Sequence, residues 1–235
     1  MINPSPTSPL SRKEHFVVNE AAIGTSVAQA IGGHRLLSHP FYQRWQEGGL
    51  ALGELAAYAA QYRYFEAELP EFLGTVVSAM PPGAARDLVA GNLHDETSVP
   101  APHIDLFDGF ARAVGAPVTD PTPATEALLA CYRRYAAAGG TTAIAALAAY
   151  EVQAAEVASS KAAGLRDLYG IDAAGTEFWD VHATADVAHA RWVVEALADL
   201  APNGLDESAA GAVAEAAQAW WGWLDEREAA QPVAA

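Results

Sequence analysis

Apolar residues recur at intervals of three and four along most of this chain. Between Leu52 and Met80 the stripe runs Leu55, Tyr58, Tyr62, Phe65, Leu69 and Phe72, the spacing of one face of an α-helix. Pro81-Pro82-Gly83 ends it, and Pro70 within it predicts a kink, because proline has no N–H and crowds the preceding turn. Further helical segments are predicted from Ala84 to about Glu96, His103 to Val114, Thr125 to Ala138, Thr142 to Tyr169, Gly175 to Leu200 and Leu205 to Glu228. Pro100-Ala-Pro102, the turn from Asp120 to Ala124, Gly139-Gly140 and Gly170 punctuate them. No alternation of strand length appears, and no internal repeat. The pattern predicts an all-α chain, a single bundle of about seven helices over residues 19–228. A Pro- and Ser-rich flexible lead (residues 1–18) is expected before it and a frayed tail (residues 229–235) after it.

Composition supports this reading and narrows the function. Hydrophobic residues make up 51% of the 235, enough for one sizeable core. The formal net charge of -16 disfavours nucleic acid and anionic membranes as partners. No apolar run approaches the ~20 residues of a membrane-spanning helix, and the first residues lack the pattern of a secretory signal. The chain therefore reads as soluble and cytosolic. Cys131 is the only cysteine, which excludes an intrachain disulfide and any thiolate metal cage.

The candidate chemistry is carried by imidazoles and carboxylates. His182, Asp186 and His189 are offset by four and seven, so at about 100° per residue they lie within about 60° of one another on one helix face. The plain alternative is a solvated face. Glu151, in the apolar stretch from Thr142 to Ala158, calls for a compensating cation or metal. Glu96 and His103 stand seven apart across the Pro100-Ala-Pro102 break, so Glu96 is expected to close one helix and His103 to open the next. Three carboxylates with three imidazoles suit a non-haem dinuclear iron or manganese site. The ferritin-like version is not met, since only Asp186-Val-Ala-His189 has a form related to its Glu-x-x-His pairs.

The set Glu96, His103, Glu151, His182, Asp186 and His189 resembles the ligand signature of the haem-oxygenase-like dimetal oxidases. Local motifs narrow the resemblance: His39-Pro-Phe-Tyr42, Ala57-Tyr58, Gln61-Tyr62, Asn92-Leu-His-Asp-Glu96, His103-Ile-Asp-Leu, Tyr150-Glu151-Val-Gln153, Lys161-Ala-Ala-Gly-Leu165 and Tyr169-Gly170. They are similar to those of the CADD-like proteins, named for a chlamydial protein associating with death domains, over about His34 to Arg191. The resemblance implies a seven-helix haem-oxygenase-like fold without haem, holding two metal ions, Fe/Fe or Mn/Fe, and using dioxygen and an external reductant. It also implies self-sacrificing synthesis of para-aminobenzoate for folate, with Tyr42 as the donor tyrosine and Lys161 as the source of nitrogen. Tyr58, Tyr62 and Tyr150 match tyrosines of the family that stand near the metals, and a homodimer is a family-level expectation. Tyr62-Arg63 replaces a tyrosine pair of the family and Thr97 an acidic residue, and neither change touches a ligand. His34, His39 and His94 match no ligand position and read as structural or surface residues.

Composition singles out Lys161 independently. The chain has eleven arginines and two lysines, and the other, Lys13, lies in the lead. A lysine kept in an Ala-rich helix suggests a need for an amine that can lose its proton, which arginine cannot do. The plain alternatives are a surviving surface lysine and, for Tyr42, Tyr58 and Tyr150, ordinary core aromatics. Two other functions compete with the leading one: a dimetal oxidase of an external amino acid or fatty acid, and an interaction protein. For the last, no docking motif is evident. A thiaminase-like hydrolase would need a nucleophilic cysteine, and Cys131 lies outside the matching motifs.

Overall fold

The computed structural model describes residues 12–98 and 100–230, with side chains from residue 19 onward. Among these residues there are nine α-helices, a short 3-10 turn at Leu36–Ser38 and no strand. The helices are α1 (Arg12–Ile31), α2 (Pro40–Gln46), α3 (Leu52–Ala79), α4 (Ala84–Ser98), α5 (His103–Ala113), α6 (Pro123–Ala138), α7 (Gly140–Asp167), α8 (Ala173–Leu200) and α9 (Glu207–Ala229). The seven segments expected from periodicity correspond to α3–α9, and α3 runs on through Pro70.

Two helices precede the expected set. Helix α1 starts inside the stretch expected as a flexible lead; residues 1–11 and 231–235 lie outside the described residues. Along it Ile23, Val27 and Ile31 recur every fourth residue and are buried where α1 packs on α8 and α9. The Asn19 amide donates to the Ala198 carbonyl at 2.9 Å, which ties α1 to the end of α8. Helix α9 likewise continues to Ala229, one residue into the expected tail.

Helix α2 is short and is started by its motif. Pro40 occupies the first turn, where its missing N–H costs nothing, and the buried His39 caps it by accepting the Phe41 N–H on Nδ1 at 3.1 Å. The other His39 nitrogen meets Asp225 of α9 at 3.1 Å, so this histidine is structural. Asp172 and Asp206 cap α8 and α9 in the usual way, accepting the Gly175 and Ala209 N–H groups.

Helix α7 lies at the centre, against α8 and α9. Every residue from Ala143 to Tyr150 is buried, so the helix is enclosed on all sides, and its alanines let neighbouring helices approach closely. Near its end Gly164 meets Trp45 of α2: a Cβ there would sit 2.9 Å from Trp45 Cδ1. The Tyr169 hydroxyl closes the same corner, accepting the Leu50 N–H at 3.2 Å and lying 3.2 Å from the Trp45 carbonyl. Gly164→Ala is therefore expected to force Trp45 aside and cost about 1–3 kcal/mol. Urea unfolding would read this as a lower midpoint at unchanged slope, and a wild-type midpoint would show that Trp45 yields freely.

Candidate metal centre

The six expected ligands converge. All are buried, and they form two groups whose potential ligand atoms lie within 4.8 Å of one another: Glu96, His103 and His182 in one, Glu151, Asp186 and His189 in the other. Helix α8 feeds both groups because offsets of four and seven keep its three residues on one face. Helix α7 contributes Glu151, the last turn of α4 Glu96, and the first residue of α5 His103. The proline break thus lets Glu96 and His103 meet, with His103 Nδ1 2.7 Å from Glu96 Oε2. The other Glu96 oxygen faces the second group, 3.8 Å from His189 Nδ1.

Three carboxylates in one buried pocket repel one another unless cations balance them. Burial and the charges of Asp186 and Glu96 push the Glu151 carboxyl up to about 7, against the pull of His189. Burial lowers the His189 imidazole, but Asp186, Glu151 and Glu96 outweigh it and hold the group up at about 10. Burial raises Glu96, yet His103, His182 and His189 bring its carboxyl below the usual range. Asp186 Oδ2 and His189 Nδ1 are buried without hydrogen-bond partners. Buried ligand atoms of this oxygen and nitrogen chemistry, left without hydrogen bonds, fit a pair of iron or manganese ions.

A chain of aromatic hydroxyls starts at Tyr150, the residue before Glu151 in α7. The Tyr150 hydroxyl is hydrogen-bonded to that of Tyr62, whose ring stacks on Tyr58 at 5.4 Å between centroids. The Tyr58 hydroxyl meets that of Tyr42 at 2.8 Å and accepts from Lys161 Nζ at 2.5 Å. Lys161 is 1% exposed, so the surface-lysine alternative is overturned. Its ammonium lies 4.0 Å from the Trp179 ring centroid and 4.7 Å from those of Tyr42 and Tyr62. Burial among these rings depresses its pKa well below that of a solvated lysine, with Glu66 and Asp186 opposing. Burial likewise raises all four phenols.

Glu66 is a buried carboxylate that sequence reasoning passed over. It is 3% exposed, its Oε2 has no partner, and burial together with the Glu96 and Asp186 charges raises its carboxyl well above the usual range. Its place in α3, four after Tyr62 and eight after Tyr58, was the available signal. Asn92 and Asp95 were also missed as individuals: Asn92 Nδ2 donates to Glu151 Oε1 at 2.9 Å, and Asp95 Oδ2 lies 3.3 Å from His189 Nε2.

Other motif residues are architectural. Gln61 binds the connection before α6 through Thr119, Asp120 and Thr122 and the first turn of α6 through Thr125, and Gln153 accepts the Leu36 N–H at 2.9 Å. Arg63 pairs with Asp108 at the surface, while Thr97 bonds back to the Leu93 carbonyl. His94 is exposed, His34 packs edge-on to Trp221, and Cys131 is buried in α6 away from both groups. No helix among the described residues is long and apolar enough to cross a membrane.

A helical bundle with two buried carboxylate–imidazole groups is a scaffold that could hold two metal ions, and sequence comparison gives the class. Residues 56–222 match the family described as iron-containing redox enzymes, and the chain belongs to that family. Its relatives include proteins named 4-aminobenzoate synthase. The one from Nitrosomonas europaea is 35% identical over 218 residues, 85% of this chain and 88% of the relative. The one from Chlamydia muridarum is 32% identical over 202 residues, 83% and 85% respectively. Among solved structures, a TenA homologue from Pseudomonas syringae pv. tomato superposes with a TM-score of 0.74 at 15% identity, covering 96% of this chain and 98% of that one. A domain with a heme oxygenase-like fold from Shewanella denitrificans gives 0.71 at 16% identity, covering 89% and 91%. The fold is therefore haem-oxygenase-like.

Proposed function

We propose that this protein is a dimetal 4-aminobenzoate (para-aminobenzoate) synthase that consumes its own Tyr42, with Lys161 as the nitrogen donor. The observation that carries the reading is the unbroken run of contacts from Tyr150, which precedes the Glu151 ligand in α7, through Tyr62 and Tyr58 to Tyr42 and Lys161. The relatives named 4-aminobenzoate synthase support the product. Glu96, His103 and His182 would hold one metal and Glu151, Asp186 and His189 the other, with Glu96 facing both. When bound, the pair would use electrons from an external reductant to activate dioxygen as the oxidant; Fe/Fe and Mn/Fe both suit these donors.

The chain's own residues do the rest. Tyr42 is sealed from water, so its ring, once oxidised, is shielded from quenching by solvent. Its hydroxyl proton can pass to Tyr58 as Tyr58 gives its own to the neutral Lys161 amine, and the stacked Tyr58 and Tyr62 rings relay the electron towards Tyr150. Cleavage between the α and β carbons of Tyr42 then frees the ring with the carbon destined for the carboxylate. Lys161, depressed towards its neutral amine, stands one hydroxyl away from the Tyr42 oxygen that nitrogen must replace.

The test is aerobic reaction of protein carrying ring-labelled tyrosine with Fe(II), Mn(II) and a reductant. Labelled para-aminobenzoate, never exceeding one per chain, should accompany loss of the side chain at position 42. Repeated turnover of an added small molecule with Tyr42 intact would point instead to an external-substrate oxidase. Elemental analysis after anaerobic loading should show two metals per chain, falling for His182→Ala and Glu151→Ala. A content near zero, or one indifferent to both changes, would sink the dimetal reading.

A further inference from the structure

Helix α4 presents Asn92, Asp95 and Glu96 at offsets of three and four, within about 100° of one another on one face. Only Glu96 belongs to the ligand set proposed above. Asn92 reaches Glu151 on α7, and Asp95 reaches His189 on α8. The His189 ring is thereby spanned. Its Nε2 faces Asp95 Oδ2 at 3.3 Å, while Nδ1 faces Asp186 Oδ1 at 3.2 Å and has no hydrogen-bond partner.

An imidazole that donates from Nε2 to a carboxylate keeps its lone pair on Nδ1, the nitrogen turned to the metal group. We infer that Asp95 is a positioning residue for the metal at Glu151, Asp186 and His189. It fixes the His189 tautomer and ring angle and so sets the affinity of that site; the inference rests on the dimetal reading. The other site is braced differently. His182 Nδ1 lies 2.8 Å from the Phe178 carbonyl, a turn back in its own helix, and needs nothing from α4.

The Asp95 brace is also the more accessible one. Its side chain is 27% exposed, and Asp95 lines an open cleft of about 760 Å³ with Pro100, Glu177 and Asp180. Water reaches the Asp95 carboxylate there, whereas the Phe178 carbonyl is held within α8. The two metal sites should therefore respond differently to loss of Asp95.

Metal-free protein titrated with Mn(II), with free ion followed by electron paramagnetic resonance, tests this. Asp95→Leu, which removes the acceptor, should weaken one of two sites about 10- to 100-fold and leave the other unchanged. Asp95→Asn, whose amide oxygen can still accept the N–H, should lose less. In Zn(II)-loaded protein labelled with ¹⁵N-histidine, His189 should carry its proton on Nε2 and metal on Nδ1, and Asp95→Asn should shift the Nε2–H resonance. Two sites of unaltered affinity in Asp95→Leu, equal weakening of both, or metal on Nε2 would overturn the inference. Should the leucine variant fail to fold, an unshifted resonance in Asp95→Asn would overturn it. Wild-type protein that takes up no second ion would instead remove the dimetal reading beneath it.

Discussion

Tyr42→Phe is expected to abolish para-aminobenzoate while leaving the bundle folded and its metals bound. The phenol hydroxyl makes one hydrogen bond, 2.8 Å to Tyr58, and Tyr58 keeps Lys161 as a second partner. Removing one buried hydroxyl that leaves no charge unpaired costs about 0.5–1.5 kcal/mol, a small part of a domain's stability. The ring remains, so the packing against Phe41, Trp45 and Tyr58 is retained. What disappears is the acidic proton whose loss makes oxidation of the ring accessible. Mass spectrometry of the small-molecule fraction should find product only in the wild type, and metal analysis should find the two proteins alike. Wild-type yield from Tyr42→Phe would acquit Tyr42. Attention would then pass to Tyr58, whose hydroxyl touches Lys161 directly, and Tyr58→Phe would be the deciding variant.

Lys161→Arg should be equally inactive, for a different reason. The Lys161 ammonium sits among aromatic faces that favour a cation, yet burial removes the water that would keep it charged. The balance leaves a neutral amine within reach, and its lone pair is what a new carbon–nitrogen bond requires. A guanidinium stays protonated at any accessible pH and offers no such lone pair. Arginine is also larger, so Lys161→Met serves as the uncharged companion of similar length. Both variants should retain metal and yield no para-aminobenzoate. Product at the wild-type level from Lys161→Met would show that the nitrogen comes from elsewhere.

Much of the site was legible because its information is local. His182, Asp186 and His189 advertise a shared face through spacing alone, and Glu151 stands out as a carboxylate among alanines. The proline pair between Glu96 and His103 marked a helix boundary, and the boundary is there. Glu66 was harder. It shares α3 with Glu68 and Glu71, and residue type does not separate a buried glutamate from its solvated neighbours. Helix α1 escaped because three apolar residues at intervals of four are a thin stripe, and its burial comes from α8 and α9 at the far end of the chain.

By itself the local sequence pattern determined the all-α character, the breaks between α3 and α9, the shared face of His182, Asp186 and His189, the isolated carboxylate Glu151 and the rare lysine Lys161. Those features follow from periodicity, turn chemistry and donor type, each readable within a few tens of residues. Tyr42 and the joining of six donors into one set came only through the family resemblance. Only the tertiary structure decided how the donors divide into two groups, that Glu96 faces both, and which nitrogen of His189 points inward. It alone joined Tyr150, Tyr62, Tyr58, Tyr42 and Lys161 into one path. The reason is that these are distances between side chains on different helices, such as Asp95 and His189, 94 positions apart. Such distances are set by how the helices pack, to within the fraction of an ångström that separates a hydrogen bond from a near miss, and no local pattern encodes them.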